Sequence, residues 1–188
     1  MAENKIFTAY DGLNLPYDPE AEKSVLGAVL LDGSCIEQIA SILPNGDYFY
    51  LENHKLIYSE MMNMFASGEH IDIVTLLNTL RKNKEFDEAT LKPYLVTLCE
   101  TVPSVSNVAI YAGYVRDKYE LRQLIGVSRD IIEEASSGYH ETSDILDMAE
   151  QRIYDIRKGK DVKGLRNVRE VLIEVINRLD ELNSPDNM

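Results

Sequence analysis

From Ser104 onward the chain repeats apolar side chains at helical spacing for about eight turns, and it does so on two faces rather than one. Tyr114, Leu121, Leu124, Ile125, Val127, Ile131 and Ile132 share one side, and Val108, Tyr111, Val115 and Tyr119 share an adjacent side. A helix lying on a single globular core needs one apolar stripe. Two stripes predict a helix that needs both a partner helix and a neighbouring subunit, with Tyr111, Tyr114 and Val115 beginning the surface that other subunits should cover. Ser104 with Asn107 three residues later predicts a capping-box start, just after Pro103 has stopped the preceding packing. The run closes near Ala135, and Ser136-Ser137-Gly138 turns the chain. Thr142 or Ser143 is then placed to cap a second helix with Ile145, Met148, Ala149, Ile153 and Ile156 on one stripe, ended by Gly159. Two antiparallel helices joined by a short polar turn make a helical hairpin.

The residues before this hairpin predict a small all-α body. Asp18 is a good N-cap, Pro19 suits the first helical position, and Glu20 and Glu22 suit a helix N-terminus. Val25, Leu26, Val29 and Leu30 follow on one face before Asp32-Gly33 ends the helix. A second short helix covers CIEQIASIL, a third carries Leu56, Ile57, Met61, Met64 and Phe65 up to Gly68, and Asp72 caps IVTLLNTLRKN. LKPYLVTLCETV adds a further helix, with Pro93 expected to start it rather than interrupt it. No sustained period-2 alternation and no Asn-Gly between β-branched runs argue for a strand.

Beyond the hairpin the composition changes. Residues 157–169 hold six basic residues and one acidic, while the whole chain carries 32 acidic residues against 19 basic for a net charge of −13. Two glycines and this charge predict a linker. Val168, Val171, Leu172, Val175, Ile176, Leu179 and Leu182 then hold three- and four-residue spacing up to Pro185. A helix of about 12–15 residues is marginal alone in water, so this tethered amphipathic helix is expected to dock, on another subunit by preference.

The chemistry of catalysis is not written in the chain. Gly159-Lys160 lacks the earlier glycine of a phosphate loop and is followed by Asp161. His54, His70 and His140 have no helical Glu-x-x-His or His-x-x-x-His partner, and are expected at the surface or half buried. Cys35 and Cys99 match no metal or redox spacing and are expected as buried reduced thiols. The acidic balance offers no broad phosphate-binding face. With no signal-like N-terminus and no apolar run near about 18 residues, a soluble cytoplasmic protein without membrane contact is expected. No catalytic, cofactor or metal residue is assigned, and the chain reads as an assembly module.

A family resemblance rests on AEKSVLGAVLLD (21–32), DYFYLENHKLIYSEM (47–61), HIDIVTLLNTL (70–80), YLVTL (94–98), VPSVSNVAIYA (102–112) and LRQLI (121–125). In order and spacing these resemble the N-terminal domain of the bacterial replicative DNA helicase, the hexameric DnaB family. The departure is TLKPYL at 90–95, where the family usually has a glycine pair before Tyr-Leu. The resemblance implies an all-α globule with a protruding helical hairpin. Hairpins would pair between subunits, a trimer of such dimers would form a collar, and the collar would recruit the helicase-binding domain of primase. It implies four segments: a helical body over 1–102, the hairpin over 103–158, a basic linker over 159–167 and a docking helix over 168–183. ATP and Mg²⁺, and contact with single-stranded DNA, would belong to a motor domain that this chain does not contain. The chain alone is then expected neither to hydrolyse ATP nor to unwind DNA.

Residue by residue, hairpin pairing falls on Tyr114, Leu121, Leu124, Val127, Ile145, Met148 and Ile153. The family's primase contact region matches Tyr94, Ile125 and Ile131. Motor docking falls on Val171, Leu172, Val175, Ile176 and Leu179. The alternative is a self-standing helical adaptor or a helicase loader, and a loader is also a conceivable partner. A di-iron enzyme is argued against by the missing Glu-x-x-His pair, and a helix-turn-helix DNA binder by the acidic body.

Overall fold

The structure, a computed structural model, describes residues 15–81 and 88–158. The expected linker over 159–167 and docking helix over 168–183, with Val171, Leu172, Val175, Ile176 and Leu179, lie outside the described residues. Seven α-helices are described: α1 (Pro19–Leu31), α2 (Cys35–Ile39), α3 (Glu52–Ala66), α4 (Ile73–Leu80), α5 (Glu88–Thr101), α6 (Val108–Ser137) and α7 (Thr142–Lys158). There is no strand among the described residues, as the sequence pattern required. The chain divides into two compact units, Met1–Ile125 and Gly126–Met188.

The first unit is organised around α1. Asp18 caps it by accepting from the Ala21 amide at 3.0 Å, and Pro19 occupies the first turn. Val25, Leu26, Ala28, Val29 and Leu30 are all buried, so this helix is enclosed rather than lying on the surface. Its most extensive neighbour is α5, which contributes Leu91, Leu95 and Leu98 to the same core. Gly27 is the reason the two helices come so close. A Cβ there would sit 2.1 Å from the Leu98 carbonyl oxygen and 2.6 Å from Val102 Cγ2. Pro93 lies inside α5 rather than at its start, which corrects the sequence reading. Proline removes one backbone donor, and the buried leucines of α5 hold the helix against α1 despite that loss.

Three local expectations also change. The second helix ends at Ile39 instead of continuing to Leu43. Leu43 turns into the core, and its carbonyl accepts from the buried Tyr58 hydroxyl at 2.8 Å. Ser104 makes no side-chain cap. Residues Val105–Asn107 form a 3-10 turn, in which the Asn107 amide donates to the Ser104 carbonyl at 3.2 Å. The tighter turn replaces the expected capping box and delays α6 to Val108. Thr142 and Ser143 fall inside α7, and the Glu141 carbonyl receives the first amides, those of Asp144 and Ile145.

The α4 cap matches its sequence signal. Asp72 Oδ1 accepts from the amides of Val74 at 2.7 Å and Thr75 at 2.9 Å, and the Thr75 hydroxyl accepts from the Asp72 amide at 2.9 Å. The backbone bond from Thr75 lowers the Asp72 pKa from its ordinary value, with further help from Val74. A carboxyl depressed in the folded state stabilises above its unfolded pKa and loses that contribution as pH falls through the folded one. Asp72→Ala is expected to cost about 1 kcal/mol in urea unfolding near neutral pH. The difference from the unaltered chain should shrink as pH falls below the ordinary carboxylate range.

Candidate protein-interaction surface

The two apolar stripes of α6 meet different fates. Val108, Ala112 and Val115 are buried in the first unit, with Tyr111 packed partly against them. Tyr119 stacks on Tyr48 with ring centroids 4.2 Å apart. This stripe is therefore covered by the chain's own body, which corrects the expectation that a neighbouring subunit covers Tyr111 and Val115. The other stripe stays open: Tyr114 is 52% exposed, Leu121 46% and Leu124 41%, while Ile125 is half buried. Ile110, which the sequence reading did not single out, is exposed one turn before Tyr114. Positions 110, 114, 121 and 124 keep the seam spacing with which one helix meets another.

Arg122, whose role the spacing pattern does not reveal, holds this helix to the body. Arg122 donates to the Pro16 carbonyl at 3.0 Å and to the Tyr48 carbonyl at 2.6 Å. Its guanidinium lies 5.5 Å from the Tyr50 ring centroid and 5.7 Å from that of Tyr119. Desolvation pulls its pKa below the ordinary arginine value, opposed by Glu22 and the two phenols. An arginine held by two carbonyls and two aromatic faces ties α6 to the chain before α1 and to the turn before α3.

The second unit is a different kind of structure. Gly138 turns the chain with φ +69°, a backbone conformation that suits glycine. The Arg152 guanidinium pairs with Asp130 across the two helices, and His140 faces Glu134 at 3.2 Å. Val127, Ile131, Ile132, Ile145, Met148 and Ile156 are half buried, while Leu146, Ile153 and Tyr154 are exposed and Tyr139 at the turn is 90% exposed. No residue between 126 and 157 is buried. A helix pair of this length without a core of its own is not expected to be stable in water. Of the expected pairing residues on these helices, Val127, Ile145 and Met148 are half buried and Ile153 is exposed.

Tyr94, Ile125 and Ile131 do not share one element. Tyr94 is on α5, Ile125 and Ile131 on α6, and Ile131 belongs to the second unit. Tyr94 is tied into a buried polar group that the sequence reading missed. His54 is 0% exposed rather than superficial, and Glu22 is 1% exposed. His54 Nδ1 lies 2.6 Å from Glu22 Oε2, and His54 Nε2 lies 2.5 Å from the Tyr94 hydroxyl. Glu22 Oε1 accepts from the Tyr50 amide at 2.7 Å. Both residues carried a legible signal. Glu22 stands three and four residues before Val25 and Leu26, and His54 stands in the same relation to Ile57 and Tyr58, so each occupies an inward helical face.

Among the described residues no cluster of His, Cys, Asp and Glu is arranged to hold a metal ion, and no single helix is long and apolar enough to cross a membrane. The model of the DnaB-like helicase N-terminal domain family matches residues 14–117. The chain is 34% identical over 178 residues to the replicative DNA helicase DnaB of Pasteurella multocida, covering 93% of this chain and 38% of the relative. It is 30% identical over 169 residues to the replicative DNA helicase DnaC of Bacillus subtilis, covering 90% and 37%. The chain thus spans well under half the length of these relatives. The crystal structure of the N-terminal domain of DnaB helicase from Mycobacterium tuberculosis is similar, with TM-score 0.69 and 30% identity over 75% of this chain and 99% of that one. A DnaB-like replicative helicase, solved in a study of its interactions with primase, shares the fold with TM-score 0.62 at 19% identity, covering 91% of this chain and 36% of that one.

Proposed function

The chain belongs to the DnaB-like helicase N-terminal domain family, and from that membership we propose that it is the oligomerisation and primase-recruitment module of a replicative DNA helicase. The observation that carries the reading is that no residue between 126 and 157 is buried, whereas the described residues of the first unit enclose a core. A second copy covers residues 126–157, pairing through Tyr114, Leu121, Leu124, Val127, Ile145, Met148 and Ile153. Paired hairpins build the collar of a hexamer. Primase meets that collar through its helicase-binding domain at Tyr94, Ile125 and Ile131. The basic linker and the helix carrying Val171, Leu172, Val175, Ile176 and Leu179 join the collar to a motor domain. There, in the intact protein, ATP and Mg²⁺ drive movement along single-stranded DNA. A helicase loader is a further partner on this reading, and the setting is the bacterial cytoplasm.

Titrating the chain with the helicase-binding domain of its primase tests this function. A saturable complex with a dissociation constant in the micromolar range or tighter is expected. Absence of a complex at concentrations where the chain self-associates would remove primase recruitment from the reading.

A further inference from the structure

A groove of about 620 Å³ opens in the first unit where α6 meets the turn before α3. That volume lies inside the range of about 300–1,000 Å³ typical of sites that enclose a ligand. Phe49 contributes a fully buried ring, and Leu15, Tyr50, Leu51, Tyr119 and Arg122 line the groove half buried, so the body leaves part of each uncovered. The cations of the lining are already engaged. Lys55 pairs with Glu52 at 2.5 Å. Arg122 donates to the Pro16 and Tyr48 carbonyls and lies against the Tyr50 and Tyr119 rings. Asp47 and Gln123, also in the lining, are exposed to water. What the groove offers an occupant is ring and aliphatic surface, which selects apolar side chains.

The chain itself is led to this groove. Leu15 lines it, the Pro16 carbonyl accepts from Arg122 at 3.0 Å, and the Tyr17 ring stacks on Tyr50 with centroids 4.5 Å apart. Three consecutive residues are thus held beside it, and the residues before Leu15 leave from there. Of that upstream segment, Met1–Asn14, the apolar side chains nearest the anchor are Leu13 and Tyr10. At about 3.5 Å per residue of extended chain, Leu13 lies within about 7 Å and Tyr10 within about 18 Å of Leu15. Asp11-Gly12 falls between them, a dipeptide that favours a turn. A turn there would bring both side chains back to one groove.

We propose that this groove is the docking site of the chain's own segment Met1–Asn14, which seats Leu13 and Tyr10 against Phe49, Tyr50, Leu51 and Tyr119. The short tether makes docking intramolecular, with an effective concentration in the millimolar range, so modest contacts suffice. Tyr10 adds a ring to a wall already built of two phenols. With the segment seated, Arg122 and its two rings are closed off from water, and cation–ring contacts strengthen when desolvated. The segment is then a strap across the joint between α6 and the turn before α3. A partner that uses the groove has to displace it. This docking does not depend on primase recruitment or on pairing of copies.

The chain contains no tryptophan, so Tyr10→Trp places a single fluorescent reporter in the full chain. Its emission should lie at shorter wavelength than in urea and should be shielded from acrylamide. Both properties should persist unchanged through a dilution series. Leu13→Asp added to this chain should return the emission to the solvent-exposed position, with circular dichroism confirming that the body stays folded. Leu51→Asp, which alters the groove rather than the segment, should do the same. If that variant unfolds the body, Leu13→Asp decides alone. Solvent-like emission from Tyr10→Trp in the folded chain would overturn the proposal. So would a short-wavelength emission that vanishes on dilution, because the segment would then be seated on a second copy, and so would one that survives Leu13→Asp.

Discussion

A chain carrying both Leu121→Glu and Ile153→Glu is expected to sediment as a monomer at concentrations where the unaltered chain associates, with its dissociation constant raised at least about a hundredfold. Leu121 is 46% exposed and Ile153 42% exposed, so a carboxylate at either site is hydrated in the free chain and changes its folding little. The same carboxylate in a helix–helix seam loses its water without gaining a cation, and buried unpaired charge is among the costliest changes a contact can suffer. Neither side chain belongs to the core built by α1, α3 and α5. Far-ultraviolet circular dichroism of the double variant should thus retain the body's helical signal. A double variant that associates like the unaltered chain would place the seam elsewhere.

Gly27→Val should have the largest effect on the body, about 3 kcal/mol or more in urea unfolding. Any Cβ at position 27 meets the Leu98 carbonyl oxygen at 2.1 Å and Val102 Cγ2 at 2.6 Å. A side chain such as Val102 can rotate away, but the Leu98 carbonyl is main chain within α5 and cannot. Separating α1 from α5 loosens the contact through which Val25, Leu26, Val29, Leu95 and Leu98 are enclosed. Gly27→Ala should lie between the unaltered chain and the valine variant. Adding Val102→Ala should recover only a minor part, because the backbone clash remains. Unfolding midpoints measured for the four chains check the order.

Much of the fold was legible because the elements announce their ends. Asp18-Pro19, Asp32-Gly33, Gly68, Asp72 and Gly138 all mark boundaries where the sequence placed them. The failures share a cause: tertiary contacts overrode local signals. Leu43 left its helix to reach the core, Pro93 was held inside α5 by the leucines around it, and Ser104 gave way to a 3-10 turn. The candidate surface was half legible. Spacing identified both stripes of α6, but spacing alone cannot say which stripe a body will take. That depended on Tyr48, Tyr50 and Arg122, which lie far apart in sequence and meet only in three dimensions. Glu22 and His54 were passed over because polar type was weighed above helical position. Their inward register carried the information.

Residues 126–157 hold no buried side chain, and on the proposed function a second copy covers them. Amide hydrogen exchange over residues 126–157, followed across a dilution series of the unaltered chain, tests this most directly. Protection there should rise with concentration and collapse on dilution to monomer, while the amides of α1 and α5 keep theirs throughout. Full protection of 126–157 in the monomer would show that the hairpin stands alone, and the central claim would fail.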